Sequence, residues 1–375
     1  MKLSRRALLK LGGLGALRGF LPPMPPLPRV DGEETRPVAR RGIVAFARAI
    51  AWGVYVFDEP SFDANVVDGM ASDEVRPIFA ELTTDSGSSY NRRWYEVEGG
   101  YVYSKLIHVV PWEYNPSVTD VGPKGFWAEV TVPFTDARVA PSLTAARTKY
   151  RYYGGTAYKV IKAVRNVDPG KKDNATTLAD GESAFDYDWW YQIEDESFPG
   201  LYFVPARHLR QIGHAEYATI SPDVDPRDKK IVVRLSDKRV IAYEKDREVF
   251  TCVCASGAKF TGEGKDFRTP PGQYRVFRKT IGQHMYGGQF GDDDYFDLPG
   301  IPWVSYFTGT GIAFHGAYWH NDYGSERSHG CINLFDKDAR WIWRWTTPQS
   351  DVDERYTVSK EYTDGTFVSV VGYNA

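Results

Sequence analysis

Two stretches near the C-terminus carry side chains whose types and spacing suit nucleophilic chemistry: Phe314-His315-Gly316-Ala317-Tyr318-Trp319-His320 and Arg327-Ser328-His329-Gly330-Cys331-Ile332-Asn333-Leu334. Between positions 314 and 334 they gather three histidines and one of the chain's three cysteines. A thiol attacks only as its thiolate, so a catalytic cysteine needs a base or a cation beside it. His315 and His329 are the candidates. A lone cysteine usually reads as a small buried hydrophobe, but the histidines and glycines clustered around Cys331 favour chemistry. The apolar run Ile312-Ala313-Phe314 delivers His315, and the turn-like Asn321-Asp322-Tyr323-Gly324-Ser325 lets the chain fold back towards Cys331. Imidazole and thiol would then act as base and nucleophile on an amide carbonyl, forming an acyl-enzyme. Gly330 lets the backbone approach a substrate closely, and the N–H groups of Gly330 and Cys331 are candidates for an oxyanion hole.

The other two cysteines read differently. Cys252 and Cys254 lie two apart in an apparent strand, on one face but too far apart for an easy disulfide, with no further ligands at zinc-like spacing. They are read as strand residues, which leaves Cys331 a free thiol. Asp292-Asp293-Asp294 lacks the spacing of a cation-binding loop and is read as a loop bordering the site. His108, His208, His214 and His284 have no companion motif, although His284 falls near that border loop.

The elements that must position the site are expected to be mainly β. The 375 residues include 24 Tyr, 11 Trp, 35 Gly and 23 Pro with few long apolar periods, a pattern of short strands joined by turns over more than one domain. The net charge of -3 includes five basic residues and no acid in residues 1–20, so the remainder is acidic and offers nucleic acid no general attraction. Ser4-Arg5-Arg6-Ala7-Leu8-Leu9-Lys10 and the apolar run to Leu21 resemble a twin-arginine export signal, followed by the proline-rich spacer Pro22 to Pro28. If retained, this segment would tether the chain to a membrane; removed, it would leave an exported protein of the cell envelope.

Trp94-Tyr95-Glu96-Val97-Glu98 turns at Gly99-Gly100 into Tyr101-Val102-Tyr103-Ser104, and Trp190-Tyr191-Gln192-Ile193-Glu194 leads to Leu201-Tyr202-Phe203-Val204-Pro205. Trp94 and Trp190 are offset by 96 residues, as in two divergent copies of one small β unit. Both copies resemble bacterial Src-homology-3-like (SH3-like) modules, which accompany cell-wall enzymes. The expected division is 1–41 for signal and linker, 42–115 and 116–218 for the two modules, and 219–375 for the domain bearing Cys331. In that last domain Lys230–Leu235, Arg239–Glu244 and Glu248–Ala255 read as strands, Thr269-Pro270-Pro271-Gly272 as a turn, and Lys337–Trp345 as a helix capped by Asp336.

Phe314-His315-Gly316 followed by Ser328-His329-Gly330-Cys331-Ile332-Asn333 resembles the signature of the L,D-transpeptidase (YkuD-type) family, over about residues 228 to 372. The resemblance implies a β-sandwich catalytic domain with one or two short helices, and no metal or organic cofactor. Cys331 would be the nucleophile and His315 its general base, oriented through a backbone carbonyl at Gly316, with Gly330 in the oxyanion hole. Ser328, His329 and Asn333, joined by Tyr318 and His320, would shape the site and meet substrate. The implied partners are peptidoglycan stem peptides, as donor and acceptor. The family cleaves between the diamino acid at position three of a stem tetrapeptide and the terminal D-alanine, then passes the acyl group to another stem. Water as acceptor would make the enzyme an L,D-carboxypeptidase, which the residues do not distinguish. An NlpC-type peptidase would place its cysteine before its histidine, the reverse of this chain. A non-catalytic wall-binding protein would require His315 and Cys331 to lie apart.

Overall fold

Alternating aromatic and β-branched residues leave most of this chain little choice but extended structure. A computed structural model describes residues 42–167, 187–195, 197–259, 266–291 and 295–372, and it is mainly β. The expected export signal and linker, and Asp292 to Asp294, lie outside the described residues. Among the described residues no helix is long and apolar enough to cross a membrane.

The chain divides into two compact units. One comprises the residues up to Val110 together with Trp319–Asp322, and the other comprises Pro111–Tyr318 with Tyr323 onward. The first unit is built on a seven-stranded sheet whose strands, numbered along the chain, lie in the order 3-2-6-5-4-1-7. The hairpin expected at Gly99-Gly100 forms between Arg93–Val97 and Gly100–Tyr103, pairing Trp94 with Tyr103. Trp94 is fully buried against Phe57, Phe62 and Tyr103. The short segment Trp319–Asp322 belongs to this unit. Lys105 Nζ lies 3.0 Å from Asp322 Oδ2, and the Asn321 amide donates to the Tyr95 hydroxyl.

The second unit begins with another seven-stranded sheet, and its seven strands repeat the order 3-2-6-5-4-1-7. Trp190 occupies the position of Trp94, on the strand Trp189–Glu194, and is again fully buried. In each copy a single 3-10 turn, Ser104–Leu106 or Ala206–His208, precedes the last strand. Identical topology around matching tryptophans is what a duplicated unit produces.

The rest of the second unit contains two five-stranded sheets. In one, Lys229–Arg234 runs parallel to the C-terminal strand Phe367–Val371 and antiparallel to Arg239–Glu244. The other orders Ile332–Leu334, Ala313–Gly316, Phe296–Tyr306, Arg278–Gly287 and Thr357–Val358. Ile231, Val233, Val240, Phe307, Phe314, Ile332 and Leu334 pack into one core with the helix Asp336–Trp345. That helix buries Ala339, Ile342, Trp343 and Trp345, while Trp341 stacks on Phe250 at 4.0 Å. Its C-terminal carbonyls, which lack partners within any helix, are taken by two buried lysines. Lys279 Nζ donates to Trp343 and Thr346 carbonyls at 2.7 and 2.8 Å, and Lys229 Nζ donates to the Trp345 carbonyl at 3.1 Å. The expected cap differs: Phe335 is the N-cap, no side chain caps the helix, and Asp336 is its first residue.

Candidate active site

A parallel pair of short strands brings the two halves of the motif together. Ala313–Gly316 aligns with Ile332–Leu334 so that Phe314 faces Ile332, His315 faces Asn333 and Gly316 faces Leu334. Paired residues of neighbouring strands point to the same side. His315 and Asn333 therefore share a face, and Cys331 stands two residues before Asn333 at the mouth of the strand.

His315 is buried, and its ring is held at both nitrogens. Nδ1 lies 2.7 Å from the Gly316 carbonyl oxygen and Nε2 lies 3.1 Å from the Asn333 amide nitrogen. A carbonyl can only accept, so the proton sits on Nδ1 and Nε2 carries the lone pair of a base, with the Asn333 amide donating to it. Burial pushes the imidazole down to about 4, against the raising effect of the Gly316 carbonyl. Burial likewise pushes the Cys331 thiol up to about 11, against a lowering backbone bond from Ala313. The resting thiol contacts the Gly311 carbonyl at 3.7 Å. At neutral pH the resting pair is therefore a thiol and an imidazole, both uncharged.

The turn that presents Cys331 is tied down by hydroxyl groups. Gly330 has φ +112°, a left-handed conformation that side chains resist, and a Cβ there would press on Ile312. Its carbonyl accepts from Thr269 Oγ1 at 2.8 Å, and that hydroxyl in turn accepts the Gly257 N–H at 2.9 Å. Ser328 Oγ donates to the Cys331 carbonyl and accepts the Gly330 N–H at 3.2 Å. Tyr323 pins the base of the loop by donating to the Leu334 carbonyl at 2.9 Å.

The other expected site residues have identifiable surroundings. Asn333 has no exposed surface and its amide is engaged with His315. Ser328 is spent on the turn. Tyr318 is buried and stacks on Tyr153 at 5.3 Å, because the second seven-stranded sheet covers it. His320 is buried in the first unit, where its Nδ1 accepts the Asp322 N–H at 3.2 Å. His329 stays half-buried beside Cys331, its ring between Phe267 at 4.7 Å and Phe296 at 5.0 Å. The Gly330 N–H meets Ser328, so the Cys331 N–H is the remaining member of the expected oxyanion pair. Cys252 and Cys254 are buried, as strand residues would be, and burial raises both thiols.

Three residues escaped the sequence reading. Thr269 looked like one side of a proline turn, but its buried hydroxyl bridges two backbones at the cysteine turn. Asp336 is the second. Its carboxylate packs against Gly316 beside His315, and burial, with Glu129 adding to it, pushes it up to about 7 against Arg340. The third is His284, expected near a loop but buried in the strand Arg278–Gly287. Its ring nitrogens lie 2.5 Å from Asp195 and 2.6 Å from Asp297, so it ties the second seven-stranded sheet to the catalytic strands. No sequence spacing announces such a bridge. Among the described residues no group of three or more His, Cys, Asp or Glu side chains could hold a metal ion.

Residues 228–369 match the YkuD family, described as the L,D-transpeptidase catalytic domain. Among curated proteins there is no match. Similar solved structures include a mutant L,D-transpeptidase of Enterococcus faecium, 19% identical, covering 39% of this chain and 50% of that one at a TM-score of 0.29. L,D-transpeptidase 3 of Mycobacterium tuberculosis is 21% identical, with 39% and 61% covered and a TM-score of 0.29. An L,D-transpeptidase in complex with imipenem is 18% identical, with 46% and 73% covered and a TM-score of 0.30. The matched part thus spans about half the length of the first of these. With its histidine and cysteine motifs inside the matched span, the segment 228–369 belongs to the YkuD family of L,D-transpeptidase catalytic domains.

Proposed function

We propose that the chain is an envelope L,D-transpeptidase that works through a Cys331 acyl-enzyme on peptidoglycan stem tetrapeptides. The observation that supports this reading most directly is the parallel register of Ala313–Gly316 with Ile332–Leu334. That register pairs His315 with Asn333, two residues beyond Cys331, and the Gly316 carbonyl on Nδ1 leaves the lone pair on Nε2.

Because both groups rest neutral, the proton leaves Cys331 as the substrate arrives. Sγ attacks the carbonyl of the diamino acid at position three while His315 Nε2 takes the thiol proton, displacing the Asn333 amide. The Cys331 N–H stabilises the developing oxyanion. Collapse breaks the C–N bond to the terminal D-alanine, whose amine leaves with the proton from His315. An amine of a second stem then attacks the thioester, passes a proton to His315, and releases the thiolate, which recovers that proton. His329, between Phe267 and Phe296, is the side chain placed to touch the peptide. The two seven-stranded units are read as SH3-like modules that keep the domain near the wall.

Purified protein incubated with disaccharide tetrapeptide, with and without an acceptor stem, tests the reading by product analysis. Cross-linked dimer formed only with acceptor supports transfer, whereas tripeptide formed equally in both supports hydrolysis. Activity retained by Cys331→Ala would refute the mechanism. A carbapenem should add to Cys331, giving a mass increase that Cys331→Ala lacks.

A further inference from the structure

The peptide plane between Gly316 and Ala317 is held from both ends. Its carbonyl oxygen takes the proton of His315 Nδ1 at 2.7 Å, and on its other side the carboxylate of Asp336 packs against Gly316, towards the Ala317 N–H. In a trans peptide these two groups point in opposite directions. Rotating the plane to serve one partner therefore displaces the other.

The room made for Asp336 is a second, independent observation. A Cβ on Gly316 would overlap its Oδ1, and a Cβ on Gly155 would lie 2.5 Å from its Oδ2. Gly155 belongs to the turn between Arg147–Tyr153 and Ala157–Arg165 in the second seven-stranded sheet. That turn is anchored in its own sheet by bonds from the Gly154 N–H to the Pro133 carbonyl and the Gly155 N–H to the Val130 carbonyl. A role confined to the helix does not account for this placement, because an acid in a first turn gains its favourable interaction without reaching another strand.

Building on the transpeptidase reading above, we propose that Asp336 is a positioning residue of the site, fixing the ring of His315 through the Gly316–Ala317 peptide while the Gly155 turn closes over its carboxylate. Three groups then stand in line, a carboxylate, a peptide and an imidazole, and aim Nε2 at the cysteine. The second seven-stranded sheet becomes part of what keeps the base in place.

The test compares Asp336→Ala, Asp336→Ser and Asp336→Asn in the full chain. Serine keeps a good first-turn residue but is too short to reach Ala317, so it serves should the alanine variant fail to fold. Asparagine preserves shape and one acceptor oxygen. Two readouts are taken: the nitrogen-15 shifts of the His315 ring, which report the Nδ1–H tautomer, and the rate of Cys331 acylation by imipenem over a range of concentrations. The expected result is a loss of the single tautomer in the alanine and serine variants. The maximal acylation rate should fall about 100-fold, as for a base displaced by about an ångström, with the half-saturating concentration unchanged. Asparagine should restore the tautomer and most of the rate. Unchanged ring shifts and acylation in folded alanine or serine variants would overturn the proposal, as would an asparagine variant no better than either. Should the wild type itself resist acylation, the transpeptidase reading fails while the ring shifts still decide the role of Asp336.

Discussion

The charge state of the resting cysteine can be read directly by alkylation. Cys331 titrates at about 11 and His315 at about 4, so moving the proton from thiol to imidazole costs about 9–10 kcal/mol before the two charges attract. Two unit charges about 4 Å apart in surroundings of effective dielectric about 20 attract by about 4 kcal/mol, which sets the scale of what the pair could recover. The remaining deficit of about 5 kcal/mol leaves the ion pair at roughly one molecule in several thousand. Alkylation by iodoacetamide follows the thiolate. At pH 7.5 Cys331 should therefore react about 100-fold more slowly than a thiol with the unshifted value of 9.0. The assay is intact-protein mass spectrometry from pH 6 to 11, with free cysteine as the reference and buried Cys252 and Cys254 as internal controls. The rate should climb steadily towards pH 10–11, whereas a plateau between pH 5 and 8 would show a preformed ion pair and refute the neutral dyad.

Two further outcomes follow from the same geometry. His315 is held well below an unfolded value of 6.5, so the unfolded chain takes up the proton first. Stability should fall as pH drops from about 6.5 to about 4, by about 3 kcal/mol in all, and urea titrations at pH 7 and 4.5 should find much of that loss absent in His315→Gln. Replacing Thr269 with Val removes the buried hydroxyl that bridges Gly257 and Gly330. It should cost about 1–3 kcal/mol in urea stability and slow acylation of Cys331, and a variant matching the wild type in both would count against the buttress.

The family of the last domain was legible in the sequence because its motifs are local. The His315 and Cys331 motifs each occupy a few consecutive residues, and a parallel strand pair is enough to join them. The duplication was legible for the same reason, since a buried Trp-Tyr strand repeats wherever the same small sheet is built. What escaped notice depends on groups meeting across the fold. The hydroxyl of Thr269 finds Gly330 from a position 61 residues away, and Asp336 reads as a helix cap until Ala317 is seen beside it. The burial of Tyr318 and His320 escaped for the same reason, since adjacency to His315 along the chain says nothing of the β structure that packs on a side chain.

The parallel pairing of Lys229–Arg234 with Phe367–Val371 bears on the order in which the molecule assembles. The first seven-stranded sheet closes over a shorter span, from Phe46 to Val110, and can form while later segments are still being made. The catalytic half must wait for its last strand. Joining Lys230 to Phe367 closes a loop whose entropy alone is about 4 kcal/mol, a long-range contact of the kind that slows folding. Until Phe367–Val371 arrives, Lys229–Arg234 is an open strand edge, the sort of surface on which unfinished chains aggregate. Synthesis must therefore pass Phe367–Val371 before the sheet that starts at Lys229 is complete.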